Sequence, residues 1–257
     1  MLLAFDIGNT QIVTGLFVGE QLVADWRFQT DRQKTPDEYG ILLKSVFRDA
    51  SLDSQSVRAA IISSVVPPVT SIIQRMVEKY FKVEPVLIGP GIKTGLSIKY
   101  ENPREVGADR VVNAVAGIKR YGAPLIIVDF GTAATFCAIG ENGDYLGGAI
   151  APGVAISSEA LFERTAKLPR IELVKPKGVI GKNTIHSMQS GLYFGYIGLV
   201  EGIISRMKQE MHCNPKVVAT GGMADWVANG TSLIDAVDPF LTLEGLKIIY
   251  HLNERVS

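Results

Sequence analysis

The sequence predicts an α/β fold of two similar lobes, each a mixed sheet with helices, facing one another across a cleft. Two observations predict it. Short β-prone runs alternate with stretches of helical periodicity, as they do in α/β layers. A pattern of apolar strand, Asp-x-Gly and polar turn occurs twice, at Ala4-Phe5-Asp6-Ile7-Gly8-Asn9-Thr10 and at Ile127-Val128-Asp129-Phe130-Gly131-Thr132-Ala133. Each copy then runs into a β-meander, which makes the pattern an internal repeat. The expected division is a lobe over 1–116 and a second over 117–257.

In the first half, 2–6, 12–18 and 22–29 are β-prone and separated by turn residues, so they predict a three-stranded antiparallel meander. A helix follows from Pro36 to about Arg48, with Leu42, Leu43, Val46 and Phe47 at helical spacing. Thr35 is its expected N-cap, with Pro36 at the first helical position and Glu38 completing a capping box. Ala59–Val65 reads as a buried strand, 69–80 as a helix and 83–88 as another strand. Glycines and prolines from Gly89 to Pro103 mark a long loop, and Val111, Val112, Val115 and Ile118 stripe a helix over 107–121. In the second half the strands fall at 125–129, 135–139 and 145–150. Helices follow at about 153–165 and 184–212, then a strand at 217–220, a short helix near Ala224 and a closing helix from about Leu243.

Composition excludes several classes. Of 257 residues, 47% are hydrophobic and the 26 basic residues balance the 26 acidic ones, so the chain has no electrostatic excess for a nucleic-acid backbone. No segment approaches the ~20 consecutive apolar residues of a membrane span. Cys137 and Cys213 lack metal-ligand spacing, and His186, His212 and His251 form no cluster. With no basic leader at the N-terminus, a cytoplasmic location is expected.

The doubled motif suits phosphate chemistry. A glycine straight after a strand lets the backbone turn tightly and bring its amides to an anion. In the first copy these are the amides after Gly8, with the Asn9 and Thr10 side chains; in the second, Gly131 and Thr132. Asp6 and Asp129 beside a phosphate call for cations, and magnesium carried with ATP is the natural neutraliser. Rival phosphate motifs fail: Gly181-Lys182-Asn183-Thr184 has an Asn between Lys and Thr and Pro176 in place of the upstream glycine. Gly89-Pro90-Gly91-Ile92-Lys93-Thr94-Gly95 is one residue too long for the dinucleotide fingerprint. Thr220-Gly221-Gly222 is either a plain strand-to-helix turn or a flat platform for a ring such as adenine. Asp109, opening a helix, is either a cap or the acceptor of a proton from an attacking hydroxyl.

These residues together resemble a known family. The two Asp-x-Gly turns and the Thr-Gly-Gly turn resemble the superfamily of acetate and sugar kinases, Hsp70 and actin. With Gly89-Pro90-Gly91, Tyr100-x-Asn102-Pro103, Gly107-Ala108-Asp109-Arg110 and Gly147-Gly148-x-Ile150-x-Pro152-Gly153 added in order, the chain resembles the type III pantothenate kinases over essentially its whole length. The resemblance implies two duplicated actin-like (ribonuclease H-like) lobes and an ATP-dependent phosphorylation of pantothenate, the first committed step toward coenzyme A. It implies Asp109 as proton acceptor, and Asp6, Ile7, Gly8, Asn9, Thr10, Gln11, Ile12 and Val13 with Thr132 as nucleotide contacts. Asp6 would serve magnesium through water or phosphate, and Asp129 a monovalent cation, potassium or ammonium. Tyr100, Gly107, Ala108, Asp109, Arg110 and Thr184 would line the pantothenate pocket, in a homodimer.

Gly191, Gly195, Gly198 and Gly202 recur on one predicted helix, each costing ~1 kcal/mol relative to alanine. They are either packed into the chain's own core or form a seam with a second copy. The alternative functions on the same lobes are a nucleotide-binding regulator, a kinase for another small hydroxylated substrate, or a chaperone-like ATPase. The last lacks a peptide-binding domain after the second lobe.

Overall fold

The computed structural model describes residues 1–254 and contains two compact units, each built on a five-stranded mixed sheet. In the first, β1 (Leu2–Ile7), β2 (Gln11–Val18) and β3 (Gln21–Gln29) form the expected antiparallel meander. From the other edge of β1, β4 (Ala59–Ser64) and β5 (Val86–Leu87) continue in parallel, giving the order β3-β2-β1-β4-β5. The last strand is shorter than 83–88. Lys82 ends the preceding helix in a left-handed conformation (φ 58°), and the residues after it carry the chain back to the sheet.

Alternation along β1 sends its side chains to two different cores. Leu3, Phe5 and Ile7 pack with Ile12 and Leu16 against α1 (Pro36–Asp49) and α2 (Pro67–Phe81), through Leu43, Phe47, Val69, Ile73 and Val77. Leu2 and Ala4 face the opposite way, with Phe17 and Ile61. They meet Val112 and Val115 of α3 (Ala108–Tyr121) and Leu243, Leu246 and Ile249 of α7 (Leu241–Glu254). Each large side chain fully buried in these layers contributes about 1.5–3 kcal/mol relative to exposure. The capping box on α1 is formed: the Glu38 amide donates to Thr35 Oγ1 at 3.3 Å and the Thr35 amide to Glu38 Oε2 at 2.7 Å.

The second unit repeats the plan. The meander is β6 (Leu125–Phe130), β7 (Ala133–Ile139) and β8 (Tyr145–Pro152); β9 (Lys216–Thr220) and β10 (Ala236–Val237) add in parallel, in the order β10-β9-β6-β7-β8. Counted outward from the meander this is the same topology as the first sheet, strand for strand. One face, with Ile126, Val128 and Phe130, is covered by Tyr193, Tyr196, Ile197, Val200 and Ile204 of α5 (Thr184–Met211). Val154 of α4 (Val154–Glu163) and Ala224 and Val227 of α6 (Ala224–Ala228) complete that core. On the opposite face a Cβ at Gly117 would stand 2.6 Å from Ile127 Cδ1.

The units are not a linear division at 116/117. The first comprises Met1–Leu96, Glu101–Ala116 and the C-terminal segment from Phe240, and the second Ser97–Tyr100 and Gly117–Pro239. The final helix joins the first unit because its apolar stripe completes the face that α3 leaves partly bare. Gly245 allows it to lie against the Val112 carbonyl.

Candidate functional site

In the first unit Asp6 stands at the end of β1, half-buried, on the same face as Leu2 and Ala4. The chain then turns over Gly8, whose amide donates to the Gln11 carbonyl at 3.0 Å. A Cβ at position 8 would sit 3.2 Å from that carbonyl oxygen, so glycine suits the turn. Thr30 fastens the turn from β3: its Oγ1 donates to the Gly8 carbonyl at 2.7 Å and its amide to the Thr10 carbonyl at 2.9 Å. Asn9, Thr10 and Gln11 are exposed and Val13 is half-buried. Ile7 and Ile12 are buried in the core, so they can offer a ligand only backbone atoms.

In the second unit Asp129 ends β6 in the equivalent place, and the Gly131 amide donates to the Ala133 carbonyl at 3.1 Å. The hairpin loop is one residue shorter than the first: Ile7 faces Ile12, whereas Phe130 faces Ala134. Gly153, at the entry to α4, donates to the Thr132 carbonyl at 3.1 Å and packs so closely on residues 131 and 132 that a side chain would collide with their carbonyls. Asp129 lies in register with Thr220 on β9. Gly221 follows with φ +90°, and a Cβ there would come 2.5 Å from Asp129 Oδ1. The glycine at 221 is thus required by the aspartate next to it. Gly222 has nothing within 4 Å of a Cβ, so only the second glycine of the pair leaves open backbone.

Asp109 occupies the second position of α3, whose first turn closes when the Val111 amide donates to the Gly107 carbonyl at 3.1 Å. Its Oδ1 accepts from the Arg110 amide at 2.9 Å, so the carboxylate does satisfy a first-turn amide. A negative charge in this turn is favoured by about 0.3–1 kcal/mol. Gly107 makes room for it: a Cβ there would stand 2.5 Å from Asp109 Oδ1. Asp109 and Ala108 are half-buried and Arg110 is buried. One turn along α3, Val112 packs on the sheet face that carries Asp6.

Tyr100 belongs to the second unit, where its ring meets Tyr145 edge-on at 6.5 Å and lies over Gly147. Thr184 is the exposed first residue of α5; the cap is Asn183, whose side chain accepts from the His186 amide at 2.8 Å. Along α5, a Cβ at Gly191, Gly195 or Gly198 would meet nothing within 4 Å, and at Gly202 only the Arg206 side chain. The glycine stripe is therefore not packed into the core of its own chain.

Ser63, not singled out in the sequence, is the last residue but one of β4, in register with Asp6. It is completely buried, and its Oγ has no hydrogen-bond partner. Its only signal in the sequence is positional: it matches Thr220 once β4 is aligned with β9.

The donor set suits a magnesium–nucleotide complex better than an all-protein metal cage. Among the described residues no group of three or more His, Cys, Asp or Glu is placed to hold a metal. Magnesium typically keeps its waters and uses one or two carboxylates with substrate phosphates. Asp6 is a half-buried carboxylate beside a glycine turn. No helix among the described residues is long and apolar enough to cross a membrane.

A family model described as type III pantothenate kinase matches residues 2–206. Among solved structures, a Campylobacter jejuni protein assigned to the Baf family of transcriptional activators matches with a TM-score of 0.63 at 18% identity, covering 99% of this chain and 100% of its own. A Sinorhizobium meliloti protein assigned as a 2-dehydro-3-deoxygalactonokinase matches at 0.62 and 8% identity, covering 100% and 98%. Component A of the Acidaminococcus fermentans (R)-2-hydroxyglutaryl-CoA dehydratase matches at 0.52 and 13% identity, covering 95% and 94%. At such identities these likenesses concern the fold, which is the duplicated actin-like one.

Proposed function

Because the chain belongs to the type III pantothenate kinase family and is a phosphotransferase, we propose that it moves the γ-phosphoryl group of ATP to the primary hydroxyl of pantothenate. The observation that carries this reading is the family match over residues 2–206, which spans both strand-end aspartates and Asp109. A primary hydroxyl is a poor nucleophile, and phosphoryl transfer depends mainly on alignment and charge neutralisation.

The roles are those the family resemblance implies, and the chemistry of the residues supports them. The Asp109 carboxylate takes the proton of the attacking hydroxyl, and the Arg110 amide in the first turn of α3 orients it. Asp6 holds magnesium through water or phosphate, and the backbone from Ile7 to Val13, with the Asn9 and Thr10 side chains, takes the phosphates. Asp129, backed by Gly221, holds a monovalent cation, potassium or ammonium, and Thr132 contacts the nucleotide. Tyr100, Gly107, Ala108, Arg110 and Thr184 are the residues the family resemblance assigns to pantothenate. When bound, magnesium supplies charge neutralisation on the phosphates. The protein acts in the cytoplasm as a homodimer whose seam is the glycine face of α5, bare in the single chain.

A coupled assay of ADP release against a panel of hydroxylated acceptors tests the substrate. Stimulation by pantothenate above the other acceptors is the expected result. Stimulation by a different acceptor would replace the substrate, and stimulation by none would favour a nucleotide-binding regulator.

A further inference from the structure

Residue 63 is the odd member of a well-satisfied strand end. Its neighbour Ser64, on the opposite face of β4, accepts from the Val66 amide at 3.0 Å and from Thr70 Oγ1 at 2.7 Å. Ser63 shares a face with Ile61, which is buried among Leu2, Ala4 and Val112. Nothing apolar is gained there from a hydroxyl. A buried hydroxyl without a partner costs about 1–3 kcal/mol, and such a group in a native fold calls for a reason.

The reason lies on the next strand. In the parallel pairing of β1 with β4, Asp6 is the register partner of Ser63, and both side chains leave the same face. Strand separation puts the two backbones about 4.8 Å apart. Across the sheet the row is Val13, Asp6, Ser63; in the second unit the matching row is Thr135, Asp129, Thr220. Both units thus place a buried hydroxyl residue beside the strand-end aspartate, on the parallel strand. Ser63 is too enclosed to touch a ligand itself. Its register partner is the residue whose carboxylate would.

We propose that Ser63 is a positioning residue for Asp6: its hydroxyl donates to the carboxylate oxygen turned away from the cation when Asp6 takes up a hydrated magnesium ion with its nucleotide. The inference rests on the role assigned to Asp6 above. Partners of this kind orient metal-binding carboxylates, and losing one typically weakens metal affinity on the order of 10–100-fold.

The test uses the full chain and a non-hydrolysable ATP analogue with magnesium, measured by calorimetry, alongside ligand-free melting temperatures. Ser63→Ala should leave the ligand-free melting temperature unchanged or raised, because it deletes an unpaired buried hydroxyl, while weakening the magnesium–analogue complex on the order of tenfold. Ser63→Thr, which copies position 220, should retain most of the affinity. In an Asp6→Asn background, Ser63→Ala should add no further loss. Wild-type affinity in Ser63→Ala, an equal loss in both backgrounds, or a marked drop in ligand-free melting temperature would each overturn the proposal. Wild-type protein that binds no magnesium–analogue complex would instead bring down the nucleotide reading on which it stands.

Discussion

The sharpest structural prediction concerns the glycine pair after β9. Gly221 has φ +90°, where an L side chain is strained by about 1–3 kcal/mol. Its Cβ would also lie 2.5 Å from Asp129 Oδ1 and 2.7 Å from the Phe130 backbone nitrogen, and the backbone contact has little room to yield. Overpacking of that kind costs typically about 1–3 kcal/mol, so with the backbone strain Gly221→Ala should destabilise the second unit by about 2–6 kcal/mol. Gly222→Ala is the matched control: with open space around it, the change should stay within about 1 kcal/mol. Trp26 packs in the first unit's core and Trp226 in the second's. They are the chain's two tryptophans, so a Trp26→Phe background lets fluorescence report the second unit alone during urea unfolding. Equal midpoints for Gly221→Ala and Gly222→Ala would refute the claim that Asp129 dictates glycine at 221. In the active protein, Gly221→Ala should also raise the potassium concentration needed for half-maximal turnover, because the new methyl group displaces the Asp129 carboxylate.

Four further outcomes are expected. Thr35→Ala should cost about 1 kcal/mol by removing the capping box of α1, read by urea unfolding of Trp226→Phe protein, where Trp26 stacks on Phe47 of that helix. Burial pushes the Tyr196 hydroxyl up to about 12, so the folded state keeps its proton after the unfolded chain has lost it near pH 10. Stability should therefore fall between about pH 10 and 12, by about 2–3 kcal/mol for this group, and Tyr196→Phe should lose that part of the alkaline slope in pH-dependent urea titrations. Gly195→Leu should give folded monomers by sedimentation, since a large side chain would occupy the bare face of α5; an unchanged dimer would remove the seam from that face. Replacing potassium by sodium should collapse turnover, and equal rates in the two buffers would remove the cation from Asp129.

Much of the fold was legible because its signals are local. Asp6-Ile7-Gly8 and Asp129-Phe130-Gly131 each follow an apolar strand, and their repetition implied two sheets with one topology, as found. The capping box at Thr35 and Glu38 was equally readable, since cap and acceptor lie three residues apart. Features that depend on pairing between distant segments were not. Nothing in Leu243, Leu246 and Ile249 states which sheet they cover, so the return of α7 to the first unit emerges only from packing. Two-residue β10 is too short to show a period. The glycines of α5 were visible as a stripe, but whether the stripe faced core or solvent depended on how Tyr193, Tyr196, Ile197 and Val200 docked. Ser63 was hidden for the same reason: its importance lies in a register with Asp6, far away in the sequence.

The central claim, that this chain phosphorylates pantothenate with Asp109 taking the proton, is tested most directly by phosphorus NMR of one reaction. Wild-type protein incubated with ATP, magnesium, potassium and pantothenate should form a phosphomonoester at the primary hydroxyl as ATP is consumed. Asp109→Asn should form it at a small fraction of that rate while binding the magnesium–ATP analogue as tightly as wild type. No phosphomonoester from the wild-type protein, or near-wild-type turnover in Asp109→Asn, would contradict the account.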